Sequence, residues 1–66
     1  MKPEMCEIGM RVNEINDVLK LKGIVISLHL LMNDHNGLVP MAQVEWDMES
    51  FGITMVAVSD LEQEGE

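Results

Sequence analysis

The feature that most constrains the fold is the apolar stretch IVISLHLLM at residues 24–32, which runs directly into the turn cluster NDHNG at residues 33–37. β-branched residues open the stretch and favour a strand over a helix. Asn36-Gly37 is a strong hairpin signal, because both residues tolerate a positive φ. Alternation of apolar and polar residues resumes over residues 38–48. The chain is therefore predicted to contain a β-hairpin whose first strand carries apolar residues on both faces.

Strict alternation assigns the side chains of each strand to two faces. In the first strand one set is Ile24, Ile26, Leu28, Leu30 and Met32, and the other is Val25, Ser27, His29 and Leu31. In the second strand the inward set is Val44, Trp46 and Met48, and the outward set is Gln43, Glu45 and Asp47. The rival interpretation is a helix over residues 14–32, which Gly23 would weaken by about 1 kcal/mol.

The remaining segments are short. Residues 8–12 are predicted to form a strand, residues 13–22 a long loop, and ESFG at 49–52 a turn. Residues 53–58 are predicted to form another strand that contributes Ile53 and Val56 to the barrel core, and SDLE at 59–62 a tight turn with Leu61 filling one end of the core. We predict a single domain over residues 1–66, an all-β, small five-stranded antiparallel barrel, with a core at about 8–62 and a frayed acidic tail at 63–66.

Four blocks of sequence resemble the SH3-like barrel superfamily. They are GMRV (9–12), GIVISL (23–28), AQVEWD (42–47) and ITMVAVSDLE (53–62). Tudor-type domains and a small accessory barrel protein of photosystem I are similar in this layout. The resemblance implies an SH3-like barrel, and it does not single out a family.

The functions of those relatives fit this chain poorly. Proline-rich peptides and methylated lysines are bound by clusters of aromatic side chains, and this chain has only Trp46 and Phe51. Barrels that contact nucleic acid carry basic loops, whereas residues 23–66 contain no Lys or Arg. The role that remains is an accessory barrel that docks on another protein.

The charge distribution supports the same expectation. The formal net charge is −8, and all four basic residues lie within residues 1–22. Such a chain repels phosphates, so direct nucleic-acid binding is not expected, and a basic protein partner would be attracted. Glu45, Asp47 and Glu49 alternate on one strand face and are predicted to form an acidic stripe that binds this partner. The alternative is that the charge serves solubility alone.

Apolar residues are in surplus around the hairpin. A strand that is apolar on both faces suggests that one outer face is covered, and the seven methionines of the chain suit adaptable contacts. We predict an oligomer or partner interface at Leu31, Leu38, Val39 and Met41, with core packing as the alternative.

No residue pattern predicts catalysis. Ser27, Ser50 and Ser59 have no base arranged beside them in the sequence, His35 with Asp34 falls short of a metal site, and His29 is expected at the rim of a strand. Cys6 is single, so no internal disulfide forms, and it is expected to be a small apolar residue. The chain is predicted to be cytoplasmic, without a signal region, a membrane span, a metal or a cofactor.

The sequence thus predicts a non-catalytic acidic protein-interaction module, a small accessory or regulatory subunit that docks on a basic partner protein. One alternative is an acidic mimic of DNA, of the type found in phage, that inhibits a nucleic-acid-binding protein. The other is a purely structural homo-oligomer joined at the apolar end of the hairpin.

Overall fold

The computed structural model describes residues 1–64 and contains five strands. They are β1 (Arg11–Glu14), β2 (Lys22–Met32), β3 (Leu38–Trp46), β4 (Ile53–Ala57) and β5 (Leu61–Gln63). Three single turns of 3-10 helix connect or precede them, at Pro3–Met5, Glu49–Phe51 and Val58–Asp60. No α-helix occurs within the described residues, so the rival helix over residues 14–32 is wrong.

The five strands form one antiparallel sheet in the order β4-β3-β2-β1-β5. The prediction of an all-β, five-stranded antiparallel fold is confirmed, and the arrangement is consistent with a small barrel-like domain. β2 is the longest strand, and only its first residues pair with β1, at Lys22, Gly23 and Ile24. The remainder of β2 pairs with β3 alone among the described residues.

The core is formed by side chains of β1, the start of β2, β3, the 3-10 segment Val58–Asp60 and β5, together with Cys6. Its fully buried side chains come from all parts of the chain, and Leu61 is buried as expected. Trp46 is 6% exposed, and its indole N–H donates a hydrogen bond to Thr54 Oγ1 at 2.7 Å. The buried apolar residues are Cys6, Val12, Val25, Ala42, Val44, Trp46, Val58 and Leu61.

Glycine at position 23 is required for this packing. A Cβ at Gly23 would lie 2.6 Å from Val44 Cγ1, 2.8 Å from Trp46 Cε3 and 2.9 Å from the Glu45 carbonyl oxygen. Contacts this short do not occur between real Cβ atoms and their neighbours. The indole of Trp46 therefore packs against bare backbone.

Two side chains predicted to lie in the core are on the surface instead. Met48 is 50% exposed, because the extended strand ends at Trp46 and the chain turns into the 3-10 segment Glu49–Phe51. Ile53 is 51% exposed, because it pairs with Glu45 and shares the outward face of that residue.

The end of the chain is more ordered than the sequence indicates. The predicted turn at 59–62 is divided between the 3-10 segment Val58–Asp60 and β5. Gln63, placed in the predicted tail, pairs with Val12, and the amide of Glu64 donates to the Arg11 carbonyl oxygen at 3.0 Å. Residues 65 and 66 lie outside the described part of the chain.

Candidate protein-interaction surface

The β2–β3 hairpin extends past the body of the domain. Its register runs from Gly23 opposite Trp46 to Met32 opposite Leu38. The loop at residues 33–37 is closed by the Asn33 side chain, whose Oδ1 accepts N–H bonds from His35 and Gly37, each at 2.9 Å. Asn36 has the positive φ expected of this turn, 60°.

A β-bulge divides β2 into two halves. The register shifts between Val25 and Ser27, which leaves Ile26 unpaired. Since one extra residue reverses the alternation, Val25 shares the inner face with Leu28 rather than with Ser27. The assignment of two uninterrupted faces over residues 24–32 is therefore wrong. Beyond the bulge the inner residues are Leu28, Leu30 and Met32, and the outer residues are Ser27, His29 and Leu31.

The outer face of β2, β3 and β4 is a largely apolar, uncovered surface. Residues paired across the strands share a face, so the register defines its rows. None of its residues is buried, and among the apolar ones Leu31 is 47% exposed, Ile53 51% and Met55 40%. The rows are Ile24–Glu45–Ile53, Ser27–Gln43–Met55, His29–Met41–Ala57 and Leu31–Val39.

The predicted interface residues fall on both faces of the hairpin. Leu31, Val39 and Met41 belong to the outer face and lie next to one another across the sheet. Leu38 pairs with Met32 and is on the inner face, where it is 63% exposed. The structure thus brings together three of the four residues.

The inner face beyond the bulge borders a shallow apolar cleft of about 400 Å³. Leu30 on its wall is 63% exposed, and Val58 at its inner end belongs to the core. The cleft continues the hydrophobic core outward, to a place where no strand of the described chain covers it. Its lining consists of Pro3, Leu28, His29, Leu30, Pro40, Met41 and Val58.

A polar cluster occupies the middle of the outer face. Ser27 Oγ lies 2.8 Å from His29 Nε2 and 2.8 Å from Gln43 Oε1. The sequence reasoning that Ser27 has no base beside it is wrong, because strand alternation aligns residues two apart. The pair lies on an open sheet face, and no hydrogen bond to the second ring nitrogen of His29 occurs within residues 1–64. The Ser27 hydroxyl thus joins one polar atom of His29 to one of Gln43 across the middle of the apolar surface.

The predicted acidic stripe separates into paired and unpaired carboxylates. Arg11 Nη1 and Nη2 donate to the two Asp47 carboxylate oxygens at 2.9 and 2.5 Å. This contact with Arg11 lowers the pKa of Asp47 below its usual range and raises that of Arg11. Glu45 and Glu49 form no ion pair among the described residues, so only they remain available for a partner.

Ion pairs neutralise much of the acidic end of the chain. Glu64 accepts from Arg11 at 3.2 Å and from Lys22 at 3.0 Å, and Lys22 is the main reason for its lowered pKa. Glu62 accepts from the buried Asn13 amide at 2.7 Å, which lowers its pKa, and lies 3.5 Å from Lys20. Three of the four basic side chains are thus held by acids beyond residue 46.

Both aromatic side chains line one cleft of about 340 Å³ between the β1–β2 loop and the 3-10 segment Glu49–Phe51, a grouping the sequence reasoning missed. Phe51 is 47% exposed, whereas Trp46 is almost entirely buried. The Asp17 carboxylate on the opposite wall accepts the amide hydrogens of Leu19 and Leu21 at 3.0 and 3.1 Å, which shapes the loop. The cleft therefore offers one ring and no aromatic cage.

The remaining candidate residues have structural positions. Cys6 is buried in the core, and this burial raises the pKa of its thiol. His35 lies in the hairpin loop, and residues 1–64 contain no group of three or more side chains able to hold a metal ion. No helix in the described part of the chain is long and apolar enough to cross a membrane.

Comparison of the chain with protein-family models, with curated proteins and with solved structures finds no match in any of the three.

Proposed function

We propose that this chain is a non-catalytic protein-interaction module of SH3-like layout, and that it binds a partner protein through the outer face of β2, β3 and β4. The observation that carries the proposal is the uncovered apolar surface of that face, which includes Ile53 and Met55 on β4 and Leu31 on β2. Exposed apolar patches of this kind mark contact sites for proteins.

The SH3-like layout is supported by the connection of the strands. The long strand β2 pairs with β1 at its start and with β3 along most of its length. A single 3-10 turn at Val58–Asp60 connects β4 to β5, and β5 returns to pair with β1. This order matches the four sequence blocks that resemble the superfamily.

The charges around the outer face favour a partner with basic residues at the border of an apolar centre. Glu45 lies on the face itself, Glu49 in the adjoining turn and Asp34 in the hairpin loop. β3 and β4 contain no Lys or Arg, and the only one in β2 is Lys22 at its start. Charges at the rim of an interface chiefly set the association rate and the choice of partner.

Mimicry of DNA remains a second prediction with less support. A mimic needs a row of free carboxylates, and Asp47, Glu62 and Glu64 are engaged by basic side chains of the same chain. The apolar face also has no counterpart on a DNA backbone.

The test is capture of a partner from source cells by the full-length chain, followed by titration of the purified partner against variants. Met55→Lys places a cation in the outer face and is expected to weaken binding at least tenfold. Val18→Lys is the matched control, because Val18 is 94% exposed in the β1–β2 loop, away from this face. Equal effects of the two substitutions would refute the outer face as the site.

The acidic border is tested separately. Glu45→Gln with Glu49→Gln is expected to slow association and to reduce its dependence on salt, because exposed charges are screened over about 8–10 Å. Asp47→Asn is expected to leave the association rate nearly unchanged, since that carboxylate is paired with Arg11. An unchanged salt dependence in the double variant would show that the partner does not place basic residues against Glu45 and Glu49.

A further inference from the structure

We infer that two copies of this chain associate through the free edge of β2, pairing residues 26–32 antiparallel to the same residues of a second copy. This surface differs from the outer face proposed for the partner, and the inference does not depend on that proposal. In the resulting dimer the two hairpins would form one continuous sheet.

The first support is the unpaired backbone along that edge. Beyond Val25, whose amide and carbonyl bond to Met10 and Gly9, β2 has only β3 as a neighbour within residues 1–64. Alternate residues of an antiparallel strand direct N–H and C=O away from the paired neighbour. A row of such groups is a template for another strand.

The second support is that this edge lacks the usual protection. Natural edge strands carry charged residues or proline, which prevent pairing with other chains. Residues 26–32, ISLHLLM, contain no Lys, Arg, Asp, Glu or Pro. By contrast, Pro40 lies in β3 just beyond the last pair with β4, Met41 opposite Ala57. One side of the hairpin is therefore protected and the other is not.

Electrostatics and symmetry both favour a second copy of this chain as the molecule that pairs with the free edge of β2. Two chains of net charge −8 repel, so they can meet only where charge is sparse, and Asp34 is the single charged residue within 23–44. An antiparallel pairing about a two-fold axis can match inner residues with inner residues, so that Leu28 and Leu30 face leucines of the other copy. This extends both apolar faces without burying a charge.

The size of the domain gives a reason for such a contact. A chain of 66 residues with a single cysteine has a small core, and small domains of this kind are commonly stabilised by association. Here a large share of the apolar side chains, including Leu30 at 63% and Met32 at 66% exposure, lies outside that core.

The experiment is sedimentation equilibrium of the full chain from about 10 µM to 1 mM, a range that covers weak to moderate dimers. Leu30→Glu is compared with Leu38→Glu, which adds the same charge at a residue of equal exposure, 63%, one strand away from the edge. We expect a monomer–dimer equilibrium whose dissociation constant rises at least tenfold in Leu30→Glu and less than threefold in Leu38→Glu. Circular dichroism of both variants as monomers verifies that they fold.

Amide hydrogen exchange of the unmodified chain provides an independent test. At concentrations that favour the dimer, alternate amides within residues 26–32 should gain at least tenfold protection relative to the dilute chain. A monomer at every concentration would overturn the inference. So would a dimer in which these amides gain no protection, or one that both glutamate variants weaken equally, since the contact would then be through a sheet face.

Discussion

The two halves of β2 differ in almost every physical respect, although they belong to one strand. Residues 22–25 pair on both sides, and Gly23 lies beneath Trp46. Residues 27–32 pair on one side within the described chain, and their leucines are 42–63% exposed. The bulge at Ile26 separates a half that stabilises the fold from a half whose side chains and backbone are available to other molecules.

The largest expected effect tests whether stability is concentrated in the core to which the first half of β2 contributes Val25. Leu61→Ala removes a fully buried side chain from the end of the core and should lower the free energy of unfolding by about 2–5 kcal/mol. Leu30→Ala, at a residue 63% exposed, should cost less than about 1 kcal/mol. Urea unfolding followed by Trp46 fluorescence at low micromolar concentration measures both, and similar losses would contradict the division.

The next effect concerns the contact of Gly23 with Trp46. Gly23→Ala forces a methyl group against Val44, Trp46 and the Glu45 carbonyl, and overpacking of this kind typically costs about 1–3 kcal/mol. Val44→Ala in the same chain should recover part of that loss, because Val44 Cγ1 is the nearest atom at 2.6 Å. Strictly additive losses in the double variant would indicate that the clash is relieved elsewhere.

A smaller effect is expected at the hydrogen bond between Trp46 and Thr54. Thr54→Val removes the acceptor for the buried indole N–H and should cost about 1–2 kcal/mol, whereas Thr54→Ser keeps the hydroxyl and should cost less. Thermal unfolding of the two variants gives the difference. If Thr54→Ser is the more destabilising, the contribution of Thr54 comes from its methyl group and strand preference instead of the hydrogen bond.

Much of the fold follows from local patterns in the sequence. Alternation along the second strand of the hairpin correctly places Val44 and Trp46 inside, because a regular strand with one buried face repeats every two residues. The turn at Asn36 and the burial of Leu61 follow from similarly short-range signals. The alternation prediction is wrong wherever the backbone departs from a regular strand, at the Ile26 bulge and after Trp46.

The candidate site depends on contacts that no local pattern contains. The stripe of Glu45, Asp47 and Glu49 is inferred from their spacing alone, but β3 ends at Trp46 and contains only Glu45 of the three. Arg11, 36 residues before Asp47, determines that Asp47 is paired. The outer face needs the register of β4 against β3, which adds Ile53 and Met55 to it. Such pairings arise from the tertiary fold and become visible only when the strands are placed side by side.

The smallest expected effect is the dependence of stability on pH, which tests the ion pairs around the first half of β2. Folding lowers the pKa of Asp47, Glu62 and Glu64, so their contribution is complete above the usual carboxylate range of about 4 and is lost as the pH falls through the lowered values. The unfolding temperature should therefore decrease on acidification from about pH 5 to pH 3.

Arg11→Gln should flatten this decrease, because it removes a partner of both Asp47 and Glu64. Lys2→Gln is the control, since Lys2 forms no ion pair among residues 1–64. The effect should be modest because the three carboxylate side chains are 31–51% exposed, so solvent screens their ion pairs. A decrease that is equally steep in both variants would show that Arg11 adds nothing to the stability of this end of the sheet.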